Sequence, residues 1–175
     1  MFKSMLDYAP FPVIITDFFF FFVLYVNQAT ADAAKESRSH LLYKKAVEYW
    51  VDKIDRDIYI SELNKKGYLD NFEVRFRRKD GSMFWVQMSA TRTVCDKRDA
   101  AFIVFVNIDK QKQLMDTLKT HVVAMECAAN GIMVTDINGV ITYVNNAFLQ
   151  ITGFDKDEVM GKTPSILKSG VHSQS

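Results

Sequence analysis

Cysteine and histidine are scarce in this chain, with two and three copies in 175 residues. Cys95 and Cys127 lie far apart in sequence without metal-ligand spacing, so both read as free thiols of a reducing compartment. His40, His121 and His172 have no paired nucleophile, no metal spacing and no neighbouring carboxylate pattern, which leaves no catalytic constellation. A phosphate-cradling glycine loop is missing, and the acidic residues are scattered without an acid/base pair. Charge of one sign is missing too: 22 basic residues stand against 21 acidic ones, net +1, so nothing points to nucleic acid. No apolar run reaches the ~20 residues of a membrane span, because Asp17 interrupts the longest one. No signal-peptide pattern appears at the start. These absences predict a cytoplasmic chain with no transmembrane segment, no metal and no enzymatic activity of its own.

What is present is patterned as in ordinary globular chains, 49% apolar and 25% charged, and the length allows one or two domains. The organising stretch is Phe72 to Asp109. In Phe72-Glu-Val-Arg-Phe-Arg-Arg78 apolar and charged residues alternate with the period of a half-buried strand. Lys79-Asp-Gly-Ser82 supplies a turn. Phe84-Trp-Val-Gln-Met-Ser-Ala90 alternates again, with Phe84, Val86 and Met88 on one face and Trp85 and Gln87 on the other. After a second polar turn, Ala101-Phe-Ile-Val-Phe-Val106 is apolar on both faces and belongs inside a sheet. It runs into Asn107-Ile-Asp-Lys-Gln-Lys112, where Asp109 is a good N-cap for a helix.

The wording FEVRFRRKDGSMFWV, then a strand, then NIDKQK closely resembles the C-terminal half of a PAS domain, with its R-x-D-G-x-x-x-W strand pair and its D-I-T exit. The resemblance implies an α+β fold, a five-stranded antiparallel sheet with helices packed on one face. It implies a sensory and regulatory module of a bacterial signal-transduction protein. Trp85, Asn107, Ile108 and Asp109 would relay a signal from the sheet into the exit helix, and an output domain would follow downstream in the intact protein.

Before that stretch, an amphipathic lead (Phe2 to Ala9) precedes two strands, Pro12-Val-Ile-Ile-Thr-Asp17 and Val23-Leu-Tyr-Val-Asn27. Five phenylalanines, Phe18 to Phe22, join them where a hairpin wants Gly, Asn or Asp. Two readings stay open: an irregular turn dispensable for the fold, or a knob touching a membrane or partner. Residues 27–50 have a helical composition. A clearer helix opens at Asp55-Arg56, with Ile58, Ile60 and Leu63 on one side and Lys65-Lys-Gly67 as its stop.

In the exit helix Ile108, Gln111, Met115, Leu118, Val122 and Met125 follow a 3-4 spacing, an a/d seam with one polar member. The helix either covers its own sheet or joins a second chain in a parallel coiled coil; the homodimer, seamed by Ile108, Met115, Leu118, Val122 and Met125, is the reading adopted. An internal repeat follows. Gly131-Ile-Met-Val-Thr-Asp136 matches Pro12–Asp17 at an offset of 119 residues, and Tyr143-Val-Asn145 matches Tyr25-Val-Asn27 at 118. Asn145-Asn-Ala-Phe148, Thr152-Gly-Phe154, Glu158–Gly161 and Leu167–Gly170 continue the family pattern. The expected organisation is a complete PAS domain (1–109), a linker helix (110–127) and the N-terminal half of a second PAS domain (128–175), a fragment of a longer protein.

Flavin-binding relatives hold their chromophore with Asn, Asn and Gln at three inward strand positions, which align here with Phe76, Val86 and Phe105. Those side chains leave flavin polar atoms unpaired, at about 1–3 kcal/mol each. The relatives' reactive cysteine is also missing, with Pro164 at its place in the second copy. His40 is a poor haem ligand candidate. No cofactor is therefore expected. The inward set Phe72, Val74, Phe76, Phe84, Val86, Met88, Ile103 and Phe105 is wholly apolar, either a filled core or a pocket for a small apolar ligand. Two other classes of function stay open: the N-terminal part of a cyclic-di-GMP synthesising or degrading enzyme or a histidine kinase, and a cofactor-free dimerisation module.

Overall fold

The structure, a computed structural model of the chain, describes residues 2–167. His172 and the stretch 168–170 of the family pattern lie outside them. The chain divides into two compact units, Met1–Lys112 and Gln113–Ser175.

In the first unit a short helix, Phe2–Asp7 (α1), precedes the hairpin Val13–Asp17 (β1) and Val23–Val26 (β2). Two short helices, Gln28–Ala34 (α2) and Arg38–Leu41 (α3), and a 3-10 turn at Ala46–Tyr49 lead to Lys53–Lys66 (α4). Three long strands complete the unit: Tyr68–Arg77 (β3), Met83–Cys95 (β4) and Arg98–Asn107 (β5). The sheet is fully antiparallel, in the order β2-β1-β5-β4-β3. The doubly apolar strand β5 is thus central, as its composition requires.

One sheet face carries the main core, where Val74, Phe84, Val86, Met88 and Phe105 meet Tyr59 and Leu63 of α4. The opposite face also has a helix. Leu6 of α1 and nearby Ala9 pack with Val13, Ile15, Tyr25, Ala100, Phe102 and Val104, so helices are not confined to one side. α1 has room there because Val13, Ile15 and Tyr25 turn their side chains away from the main core.

Helix α4 starts earlier than expected. Asp52, not Asp55, is its N-cap, accepting from the Ile54 N–H at 2.7 Å, and Gly67 ends it at φ +79°. Its inward side carries Tyr59 and Leu63, while Ile58 is exposed. Of the expected apolar side, Leu63 is buried and Ile60 packs against the core, and only Ile58 falls outside it.

The five-phenylalanine turn is not a single exposed knob. The buried Asp17 carboxylate accepts from the Phe19 and Phe20 N–H groups at 2.9 and 2.7 Å, which fixes the turn without an Asn-Gly pair. Phe18 is buried in the main core and Phe21 takes φ +57°, whereas Phe19 and Phe20 face solvent.

The residues after Lys112 form the second unit. A helix, Asp109–Glu126 (α5), runs from the end of the first unit into it. A hairpin, Met133–Thr135 (β6) and Ile141–Val144 (β7), is followed by Asn146–Thr152 (α6) and Lys156–Val159 (α7). Its core is Ile141, Val144, Phe148 and Val159. Asn138-Gly139 forms the hairpin turn, with Gly139 at φ +78°.

Candidate functional site

A cavity of about 60 Å³ lies between the inner sheet face and the short helices of the first unit. Phe76, Phe84, Met88, Ile103 and Phe105 of the expected inward set line it. Val74 and Val86 do not; each is fully buried in the core, and Phe72 is a half-buried neighbour of the same cluster. The reason is position along the strands. The cavity opens toward β1 and β2, where Ile14, Thr16, Val23 and Val26 form the far wall, while Val74 and Val86 pair with each other on β3 and β4.

The helical wall was not foreseen. Tyr49, Trp50, Arg56 and Tyr59 line the cavity together with Ala34 and Leu41, and Phe21 reaches it from the turn. Trp50 packs tilted against Tyr59 and edge-on against Phe76, each at 5.2 Å between ring centroids, and forms a backbone bridge to Phe76. The available signal was the spacing of Arg56, Tyr59 and Leu63, three and four residues apart, which puts them on one helix face.

Tyr49 is fixed from behind. Its hydroxyl donates to Glu36 Oε2 at 2.9 Å, and Lys44 Nζ meets Glu36 Oε1 at 2.9 Å. His40 Nδ1 lies 3.2 Å from the same oxygen, and its side chain is more than half exposed. Burial disfavours the charged Glu36 carboxylate, but the hydrogen bonds from Lys44 and Tyr49, with the Lys44 and His40 charges, outweigh it and hold the carboxyl below its ordinary range. Burial, then the bond to Glu36, raises the Tyr49 hydroxyl well above the usual phenol range.

A second set of contacts leaves the cavity toward α5. The Arg78 guanidinium sits 3.9 Å over the Phe84 ring, donates to the Ala33 carbonyl at 3.0 Å and lies 3.9 Å from Asp109. Asp109 is not an N-cap. Its carboxylate reaches back to the sheet and accepts from the Trp85 N–H at 2.8 Å, while the Ile108 N–H donates to the Trp85 carbonyl at 3.0 Å. Asn107 Oδ1 accepts from the Asp109 N–H at 2.8 Å. Lys112 stands over the Trp85 ring at 5.0 Å and pairs with Glu73. The four expected relay residues thus meet at one junction, joined by Arg78.

Ile108 is buried there and is unavailable to an intermolecular seam. Met115, Leu118 and Val122 are each about half exposed, and Met125 is half-buried. Among the described residues no His, Cys, Asp or Glu group could hold a metal, and no helix is long and apolar enough to cross a membrane.

A five-stranded antiparallel sheet with short helices over an inner cavity, and a helix leaving its last strand, defines an α+β fold of the PAS type. The family model for the PAS fold matches residues 1–108 and 121–173, and the chain belongs to that family. Its fold is similar to a PAS domain of a two-component sensor histidine kinase, at 23% identity and TM-score 0.52 over 60% of this chain and 91% of that one. It is similar also to a PAS domain from Colwellia psychrerythraea, at 19% identity and TM-score 0.54 over 61% and 93% of the two chains. A third is the PAS domain, in complex with ethanol, of a LuxR-family transcriptional regulator from Burkholderia thailandensis. It shares 14% identity at TM-score 0.52, over 62% of this chain and 97% of that one.

Proposed function

We propose that the first unit is the sensory module of a bacterial cytoplasmic signalling protein, converting occupancy of its cavity into a change at the start of α5. The observation that carries this reading is the contact series Phe84, Arg78, Asp109, Trp85. It begins on the cavity wall and ends at the first turn of the helix. An occupant that moves Phe84 changes the surface on which Arg78 stacks, and Arg78 shares Asp109 with the Trp85 backbone. The helix carries the change to an output domain; the chain is itself no enzyme. Flavin and haem are no part of this function, because Phe76, Val86 and Phe105 offer no hydrogen bonds and His40 faces solvent.

Filling the cavity by Ala46→Leu, with hydrogen exchange read along residues 109–115, tests the relay. Amide exchange at the helix start changes severalfold, and Asp109→Ala abolishes the response. Unaltered exchange in the filled variant defeats the reading.

We infer also that α5 pairs two chains. Met115, Leu118 and Val122 leave an exposed apolar stripe at heptad spacing, and a helix of 18 residues gains stability chiefly by burying such a face. Leu118→Glu shifts the mass in light scattering from two chains to one while the sheet stays folded. A wild type already monomeric at high micromolar concentration removes this part of the proposal.

A further inference from the structure

Two buried side-chain oxygens among the described residues have no hydrogen-bond partner, Thr16 Oγ1 and Tyr59 Oη. Both residues are at most 3% exposed, and both line the same cavity, one from β1 and the other from α4. A native fold rarely leaves such groups unpaired, because each forfeits its bonds to water. Here two are left on walls of one cavity otherwise dominated by apolar side chains.

The third polar group is a cation. Arg56 lies one helical turn before Tyr59, lines the cavity and is half-buried, with its guanidinium 4.6 Å over the Phe21 ring. Among the described residues no carboxylate pairs with it. Burial raises the Tyr59 hydroxyl above the ordinary phenol range, with nearby Arg56 opposing, so that it stays protonated and able to donate at neutral pH. Tyr49 and Thr30, the other hydroxyls on the wall, are already bonded, to Glu36 and to the Val13 carbonyl. The walls therefore hold unused donors and a positive charge, with no negative group to answer them.

We propose that the cavity takes a short-chain monocarboxylate, its oxygens meeting Tyr59, Thr16 and Arg56 and its hydrocarbon tail lying against Val26, Leu41 and Phe105. This rests on the sensory reading of the cavity and names the ligand class. Size sets the chain length: at about 10–15 Å³ per water-sized position, a 60 Å³ cavity holds roughly four to six heavy atoms. Butanoate has six.

Calorimetric titration of the 175-residue chain with butanoate, butan-1-ol and butylamine tests the assignment. Butanoate should bind at least tenfold more tightly than either of the others, because a charged acceptor uses all three groups and the alcohol leaves Arg56 unanswered. Arg56→Gln should reduce that preference to about twofold or less. Tyr59→Phe should weaken butanoate about tenfold, yet raise the Tm of the unliganded chain by about 2–4 °C by deleting an unpaired buried hydroxyl. Thr16→Val, nearly isosteric, should do the same on a smaller scale and guards against a local packing defect at Tyr59. Butan-1-ol binding as tightly as butanoate overturns the carboxylate assignment and leaves the sensory reading standing. So does butanoate affinity indifferent to Arg56→Gln. If none of the three binds at tens of millimolar, the ligand class is wrong; the relay is judged separately, from hydrogen exchange in the filled variant, which needs no ligand.

Discussion

The two units use the same hydrogen-bonding device on sheets of very different extent. In the first, the buried Asn27 accepts from the Val13 and Thr30 N–H groups and donates to the carbonyls of Leu6, Ala9 and Phe11. In the second, the buried Asn145 accepts from Ile132 and Phe148 and donates to Met125 and Asn130. Tyr25 donates to Asp7 at 2.8 Å and Tyr143 to Glu126 at 2.9 Å. One asparagine thus ties a hairpin, a helix start and the preceding helix together in each unit. The preceding helix is α1 in one case and the end of α5 in the other. Within the first unit the start of α5 bonds to Trp85, and within the second its last turn bonds to Asn145 and Tyr143.

What differs is what the hairpin packs against. Phe18 is 6% exposed, lying in the core with residues of β3, β4 and β5; Ile137, 119 residues on, is fully exposed. The second unit, among the described residues, has a two-stranded sheet. The device shapes a hairpin–helix corner whether or not a full sheet stands beside it.

Removing the device gives the largest expected effect. Asn27→Ala strands buried N–H and C=O groups, each costing about 1–3 kcal/mol, and should lower the first unit's stability by about 3–5 kcal/mol, read from the urea midpoint and from exchange at β5 amides. Asn145→Ala should speed exchange across β6 and β7 and leave β5 unchanged. Should protection fall across both sheets, the units fold as one and the comparison breaks.

Next in size is Phe18→Ala, about 3 kcal/mol, at the lower end for a core Phe. Its counterpart Ile137→Ala should stay within about 0.5 kcal/mol. Equal effects at the two positions would mean that the hairpins share more of their surroundings than their burial implies.

Glu36 sharpens the contrast through pH. The second unit has Phe154 at the corresponding position, 118 residues on, so only the first unit carries this buried carboxylate. Glu36→Gln should cost about 2 kcal/mol at pH 7, the range for hydrogen bonds to a charged group. The folded carboxyl titrates below the ordinary glutamate value of about 4.5. Its contribution is therefore present above that value and is lost as pH falls through the folded one. The gap between wild type and variant should stay constant above about pH 5.5 and close below about pH 4.5. A gap that widens in acid would give the pKa shift the opposite sign.

The sheet was largely legible because β3 and β4 alternate with period two and β5 is apolar on both faces, and Phe76, Phe84, Met88, Ile103 and Phe105 fell on the face that borders the cavity. The opposite wall was not. Tyr59 and Arg56 are amphipathic, and sorting α4 by apolar character picked out Ile58 in their place. Asn27 and Asn145 were visible as a repeated Tyr-Val-Asn, but what they do depends on carbonyls 15 to 21 residues upstream, which no local pattern encodes. The junction at Asp109 was found and its bonding was not, since an acid at a helix start reads as an N-cap until the facing strand is known.

The smallest effect belongs to the tip of the phenylalanine turn. Phe19 and Phe20 are 65% and 69% exposed, and what holds them is their backbone, through the Asp17 carboxylate. Their side chains contribute little beyond the edge contact of Phe19 with Phe18, at 5.8 Å between centroids. The double substitution Phe19→Ser and Phe20→Ser keeps both N–H donors and should change stability by less than about 1 kcal/mol, within the usual range of surface changes at two sites. Solubility should rise, because two adjacent exposed aromatic rings form part of an apolar patch. The turn would then resemble that of the second unit, where Asp136 accepts from Asn138 and Val140, both at 2.9 Å. Thermal unfolding and the concentration at which the protein precipitates measure the two effects separately. A large loss of Tm in the double variant would show that these rings, and not Asp17, hold the turn.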